Sequence, residues 1–199
     1  LVDAGGFQGK GRLDTGKDIV TPFLKSRKIL DLDYIALTHH DIDHMKGMEY
    51  IAGNFSPDEF WEGADDEESL IYSNIVRSFA KSDTKLYDIY DLPQKIRIEG
   101  VDVDFLRPDL NMYVKELDSS NDRSLVIKLG FQDKSVLLTG DISEKAENEL
   151  LRTFHEAPEK IRSDILLLPH HGSNHSGSDA FLDTVRPDAG IISTGRKNF

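Results

Sequence analysis

Cysteine is absent from this 199-residue chain. That single lack excludes disulfides, thiolate metal sites and cysteine nucleophiles together. It leaves the compartment open. No apolar run is long enough to cross a membrane, and the first residues do not read as a signal peptide. Positive charge is also scarce: 24 Lys and Arg stand against 36 Asp and Glu, a formal net charge of -12. A surface of that sign repels phosphodiester backbones, so nonspecific nucleic-acid binding is not what the composition suggests. Many of the carboxylates fall in one acidic stretch, residues 58–68. Others crowd around the candidate ligands near residues 39–44, where bound cations would reverse the local field.

What remains is an ordinary globular composition, 38% hydrophobic and 30% charged, enough for one sizeable domain with its own core. The chain opens on Leu1 inside an apolar run, so we expect a piece of a longer protein. A membrane anchor or targeting segment could then lie outside it. Short apolar runs recur, each ending in a polar signature. Leu1-Val2 ends in Asp3-Ala4-Gly5-Gly6, and Tyr34-Ile35-Ala36-Leu37 in Thr38-His39-His40-Asp41. Val136-Leu137-Leu138 ends in Thr139-Gly140-Asp141, and Ile165 to Leu168 in Pro169-His170-His171-Gly172-Ser173. A last run from Ala189 to Ile192 ends in Ser193-Thr194-Gly195. Such runs read as buried strands.

Helical spacing links Leu70, Ile71, Ile75, Val76 and Phe79. It also links Ala146, Leu150, Leu151 and Phe154, and more briefly Phe181, Leu182 and Val185. Hairpins are expected near Glu99-Gly100 and Gln132 to Lys134. Residues 107–121 read as a long functional loop. Strands and helices mixed this way predict an α/β domain with mixed or antiparallel sheets, spanning residues 1–199 as one unit.

His39, Asp41, Asp43 and His44 fall within six residues after a strand, and five of the seven histidines lie in two short segments. Imidazole and carboxylate together ligate divalent metals. The competing reading is a polar loop with an aspartate capping a helix. Asp141, after the sharp turn that Gly140 permits, is open to the same two readings. The doublet His170-His171 adds further candidate ligands, with no choice possible between them. A His and Asp set without thiolate suits Zn²⁺, Mn²⁺ or Fe. Two such ions about 3.5–4 Å apart, bridged by a carboxylate such as Asp141, form a common hydrolytic centre. Ser173 follows His171-Gly172, but the segment lacks the Gly-x-Ser-x-Gly elbow of a serine hydrolase.

The run Thr38-His39-His40-Asp41-Ile42-Asp43-His44 resembles the metallo-β-lactamase superfamily signature His-x-His-x-Asp-His, with Asp41 in place of its second histidine. That departure, together with Leu1-Val2-Asp3-Ala4-Gly5, Asn121-Asp122-Arg123-Ser124-Leu125-Val126, Leu138-Thr139-Gly140-Asp141, Leu168 to Ser173 and Ile192 to Asn198, resembles the hydrolase domain of ComEC-type DNA-uptake competence proteins. The resemblance implies an αββα sandwich of two mixed sheets flanked by helices. It implies two divalent metal ions, Zn or Mn. His39 and Asp41 would serve one, Asp43 and His44 the other, with Asp141 bridging and His170 or His171 adding a ligand. Asn121 stands where relatives carry a histidine and is a poor ligand, which leaves it, with Ser173, to contact substrate. Asp3 is implied to support the ligand turn.

The activity implied is metal-assisted phosphodiester hydrolysis of DNA, with Asp43 or Asp41 orienting the attacking water. The setting implied is bacterial: a domain outside the cytoplasm, reaching a membrane only through a parent chain. Without a ComEC-like parent, a cytoplasmic place is the alternative. Rival readings are a hydrolase of small or cell-wall phosphodiesters or lactones, and a non-catalytic DNA- or protein-binding module. A basic strip from Arg107, Arg123, Lys128, Arg196 and Lys197 would favour DNA; scattered solvated charge is the bland alternative.

Overall fold

A computed structural model describes residues 1–7, 13–64, 69–106 and 119–194. It divides into two compact units, Leu1–Leu92 and Pro93–Phe199.

The first unit is built on two β-α-β crossovers. Strands β1 (Tyr34–Leu37), β2 (Glu59–Glu62) and β3 (Lys85–Asp88) form a parallel sheet in that order. Parallel neighbours need a long connection. Helices α2 (Ile42–Met45) and α3 (Met48–Ala52) supply one, and α4 (Leu70–Lys81) the other. Ahead of them a π-helical turn, Gly16–Val20, runs into α1 (Thr21–Ser26). Val2 adds a parallel bridge to Ala36. Ile35, Leu37, Met48, Ile51, Phe60, Ile75 and Phe79 are fully buried in one cluster, with the Phe60 and Phe79 rings 4.8 Å apart. The helical spacing expected at 70–79 is present, but Leu70 is exposed and only Ile75 and Phe79 are fully sequestered.

Within the described part of the acidic stretch, Asp58 is exposed and Glu59 half-buried. Glu59 and Glu62 sit on β2, and Glu62 is buried. Their charge hides a strand whose Phe60 and Trp61 carry the packing. Residues 65–68 lie outside the described residues.

The second unit holds six strands in sequence order: β4 (Lys95–Ile98), β5 (Val101–Leu106), β6 (Val126–Phe131), β7 (Lys134–Leu138), β8 (Ile165–Leu167) and β9 (Ala189–Ile191). The first four pair antiparallel, the last three parallel. Both expected hairpins are present. Glu99 and Gly100 have positive φ (46° and 90°), as a tight two-residue turn requires. The mixed character expected from the sequence belongs to this sheet, while the first is parallel among the described residues. Helix α5 (Glu144–Thr153) follows β7, and α6 (Asp179–Val185) precedes β9. The apolar run at β9 predicts burial; the strand is instead an edge, exposed along its length. Of the expected long loop, residues 107–118 lie outside the described residues.

At one rim of this sheet Asp164 holds the β6–β7 hairpin. Its carboxylate accepts from Lys134 Nζ (2.8 Å), Ser135 N (2.7 Å) and Ser135 Oγ (2.8 Å). The Lys134 ammonium, followed by the two Ser135 donors, lowers the Asp164 pKa to about 2. A depressed carboxylate stabilises the fold above its unfolded pKa, near 3.9, and that contribution is lost as pH falls through the folded value. Asp164→Asn should therefore lower the thermal midpoint at pH 6. Its difference from the parent should shrink between pH 4 and about 2, as read by a circular-dichroism melting series.

Candidate metal centre

In the first unit, the strand β1 delivers Thr38 and His39 to the C-terminal rim of a parallel sheet, where open α/β folds commonly bind ligands. Asp3 organises the turn beyond that rim. Its Oδ1 accepts the Thr38 N–H (2.8 Å); its Oδ2 accepts the Thr38 hydroxyl (2.8 Å) and His44 Nδ1–H (2.7 Å). Because the Thr38 hydroxyl gives its proton to Asp3, its oxygen accepts from His39 Nδ1–H at 3.0 Å. Both imidazoles thus carry their proton on Nδ1 and present Nε2 as the nitrogen that could ligate a metal, an arrangement of the kind that orients metal-binding histidines. His39 and His44 are buried, with ring centroids 4.2 Å apart. Asp3 holds a left-handed φ of 51°, a conformation tolerated by Asp better than by most residues. Its supporting role, expected from the sequence, matches this network.

Asp41 occupies the N-cap position of α2, yet its side chain makes no capping hydrogen bond. It lies instead with Oδ2 3.8 Å from His39 Nε2. Asp43, in the first turn of α2, is exposed. The capping alternative therefore fails for Asp41. His40 turns elsewhere: its ring stacks on Tyr72 at 4.2 Å and its Nε2 is 3.4 Å from Glu62 Oε2.

In the second unit, Asp141 lies just past β7 and is 3% exposed. Gly140 takes φ 55°. The Asp141 N–H donates to Ser124 Oγ (3.1 Å). It does not cap α5, since Ser143 does, accepting from Lys145 N at 3.2 Å. Ser143 is itself fixed by Asp122 Oδ1, which accepts its N–H (3.1 Å) and its hydroxyl (2.5 Å). The turn Asn121–Arg123 thus braces the Asp141 loop from behind through Asp122 and Ser124, two roles the sequence reading missed. The only signal was their place in the motif 121–126.

The histidine doublet is strained and unequal. His170 and His171 both adopt left-handed φ (50° and 56°), which costs non-glycine residues about 1 kcal/mol or more each. His171 Nδ1–H donates to the Ser193 carbonyl (2.8 Å), and its Nε2 faces Asp141 Oδ2 at 3.5 Å. The His170 ring stands edge-on to that of His171, centroids 6.4 Å apart, with Nδ1 buried and making no hydrogen bond among the described residues. His171 Nε2 is thus the imidazole nitrogen placed beside the Asp141 carboxylate, while the His170 backbone N–H donates to the Gly140 carbonyl (3.2 Å). Ser173 Oγ accepts from His175 N at 3.3 Å within the following turn. Glu147, fully buried, accepts from Gly177 N, Ser178 N and Ser178 Oγ; it thereby holds Ser178, the N-cap of α6, and anchors the end of this segment.

The donor set fits a divalent cation. A lone-pair nitrogen faces a carboxylate oxygen at 3.8 Å in the first unit and at 3.5 Å in the second. Ligands about 2.1 Å from a tetrahedral ion stand about 3.4 Å from one another, so each pair has roughly the spacing one shared cation imposes. Of the basic strip, Arg107, Arg196 and Lys197 lie outside the described residues. Lys128 is committed internally, Nζ donating to the Glu159 and Lys160 carbonyls at 3.0 and 3.1 Å. Its partial burial lowers its pKa from the ordinary lysine value. Arg123 Nε donates to the Ser119 carbonyl at 3.5 Å.

The family model of the Metallo-beta-lactamase superfamily matches residues 1–196. The chain belongs to this superfamily. Its two sheets and their helices are those of the metallo-β-lactamase fold. Competence protein ComA of Neisseria gonorrhoeae is 30% identical over 185 residues, covering 90% of this chain and 22% of that protein. ComE operon protein 3 of Bacillus subtilis strain 168 is 28% identical over 189 residues, covering 92% and 22%. This superfamily member is thus similar to competence proteins, and it spans about a fifth of the length of those curated relatives. Among solved structures, CmlA, a diiron beta-hydroxylase from Streptomyces venezuelae, superposes with a TM-score of 0.50 at 14% identity, covering 81% of this chain and 35% of that one. That likeness concerns the fold alone. Among the described residues, no helix is long and apolar enough to cross a membrane.

Proposed function

We propose that this chain is a divalent-metal-dependent phosphodiesterase that cleaves DNA, with His39, Asp41, Asp43, His44, Asp141 and His171 as its ligands. The observation that carries the reading is the pairing of Nε2 lone pairs with carboxylate oxygens, each imidazole locked by an acceptor at Nδ1. Superfamily membership supports metal-dependent hydrolysis in general. The competence relatives support DNA as the substrate.

In this reading His39 and Asp41 would hold one Zn²⁺ or Mn²⁺, Asp43 and His44 would hold the second, and Asp141 would serve as a ligand to both. When bound, such ions lower the pKa of water and neutralise charge gathering on the phosphate. The chain's own contribution is orientation. Asp3 and Thr38 hold two imidazoles in one tautomer, Ser124 fixes the Asp141 backbone, and the Ser193 carbonyl fixes His171. The Asp43 carboxylate accepts a hydrogen bond from the attacking water and aligns it with phosphorus. The water oxygen joins phosphorus, and the P–O bond to the leaving nucleotide oxygen breaks, that oxygen taking the proton. Asn121 and Ser173 contact the substrate, while His170 stays outside the ligand set. In the DNA-uptake setting the domain is carried outside the cytoplasm by a membrane-embedded parent chain.

The net charge of -12 and the internal commitment of Lys128 favour a second reading: a small or cell-wall phosphodiester. One experiment separates them. The purified chain is incubated with single- and double-stranded DNA and with a small phosphodiester, with and without Mn²⁺ or Zn²⁺, beside Asp43→Ala. Cleavage of DNA should need the metal and fall by about a hundredfold in the variant. Cleavage of the small ester alone supports the second reading. No metal-dependent cleavage, or equal cleavage by Asp43→Ala, overturns both.

A further inference from the structure

We infer that His40, Glu62 and Tyr72 form a clamp that sets where His39 and Asp41 present their ligating atoms, and hence how tightly the first metal position is filled. The inference rests on the proposed metal role of those two residues.

His40 lies in sequence between two proposed ligands, but its ring is held by two other elements of the first unit. It stacks on Tyr72 of α4 at 4.2 Å with 28° between planes, and its Nε2 lies 3.4 Å from Glu62 Oε2. The Tyr72 hydroxyl closes the triangle by donating to Glu62 Oε1 at 2.9 Å. Glu62 ends β2 and is paired in register with Leu37, which ends β1. The Gly63 N–H also donates to the Leu37 carbonyl at 3.1 Å. The clamp therefore closes across the tips of adjacent parallel strands, just where the chain leaves β1 for the ligand turn.

Stability alone does not explain such a trio. Burying a carboxylate is costly even when it is partnered, and apolar side chains of the same volume commonly do as well or better. What a polar trio adds is direction. The stack on Tyr72 and the 3.4 Å approach of Nε2 to Glu62 Oε2 fix the ring of His40 in position and rotation, and its Cα with it. The flanking peptide planes then set the Cα positions of His39 and Asp41. Thr38 is pinned by Asp3 on one side, and the clamp pins His40 on the other. His39 is thus held between two fixed neighbours. Supporting contacts of this kind around metal ligands change affinity by about 10–100-fold when removed.

The test uses the whole chain and Co²⁺ as the probe. Dissociation constants and the visible absorption spectrum of bound Co²⁺ are measured for the parent, Glu62→Gln and Tyr72→Phe, together with metal-free thermal midpoints. Glu62→Gln should bind Co²⁺ about tenfold more weakly with a shifted spectrum. Tyr72→Phe, which removes one hydroxyl, should lose about fivefold. Both should do so with metal-free midpoints close to that of the parent. Unchanged affinity and spectrum in both variants overturn the clamp. So does a loss of affinity that merely tracks a fall in midpoint. A parent chain that binds no Co²⁺ overturns the metal reading itself, a failure visible before any variant is compared.

Discussion

Asp141→Asn is expected to reduce metal-dependent phosphodiester cleavage by about a thousandfold, equivalent to about 4 kcal/mol of transition-state stabilisation. The substitution keeps the shape and volume of the side chain and removes its charge. The backbone N–H that meets Ser124 Oγ is untouched, and so are Ser143 and Asp122 behind it. An amide oxygen is a weak ligand and cannot bridge two cations as a carboxylate does. Metal content per chain should fall with the rate, while the metal-free thermal midpoint should move little. Single-turnover cleavage and elemental analysis check this together. A variant that retains full metal content and a rate within tenfold of the parent would remove Asp141 from the bridging role.

The second large effect concerns folding around two of the proposed ligands. Gly47 follows α2, where Asp43 and His44 reside. A β-carbon built on it would stand 2.3 Å from the Ala4 carbonyl oxygen, 2.4 Å from Thr15 Oγ1 and 2.7 Å from Gly16 N. Two of these atoms are backbone, so the clash cannot be relieved by a side-chain rotation. The Gly47 N–H donates to the Gly5 carbonyl (2.8 Å), and the Ala4 N–H to the His44 carbonyl (3.0 Å). These bonds lash α2 to the segment carrying Asp3. Gly47→Ala should destabilise the fold by about 3 kcal/mol, as overpacking against a rigid backbone does. Because the forced movement separates Asp3 from His44, metal affinity should fall as well. Urea denaturation of the metal-free chain checks the first consequence. A midpoint equal to the parent's would show that the contact is not tight in solution.

The ligand turn and the later Asp and His signatures were legible because each ends an apolar run, and short runs bounded by glycine or polar residues mark strand ends. The second sheet was readable from its alternating strands and two hairpins. What escaped reading had specific causes. β2 was masked by Glu59 and Glu62, whose charges look like surface although Glu62 is buried against His40 and Tyr72. β3, Lys85-Leu86-Tyr87-Asp88, is too short and too polar to carry a periodicity. The run at 189–192 was apolar enough to suggest burial, but it became an edge, since apolar content does not specify which strand is last in a sheet. The choice between His170 and His171 depends on left-handed backbone that no spacing rule reveals. The supporting roles of Asp122 and Ser124 depend on a contact between segments about twenty residues apart in the chain.

The six-stranded sheet has one rim where Ser124, Asp141 and His171 gather, and an opposite rim made of the Glu99-Gly100 and Gln132-Asp133 tips and the Asp164 brace. About 15 Å of paired strand separates them. Within this unit, a fluorophore, an epitope or a surface tether grafted onto either hairpin tip would report on the domain or immobilise it without crowding Asp141 and His171. An engineer has a handle here that leaves the working end untouched.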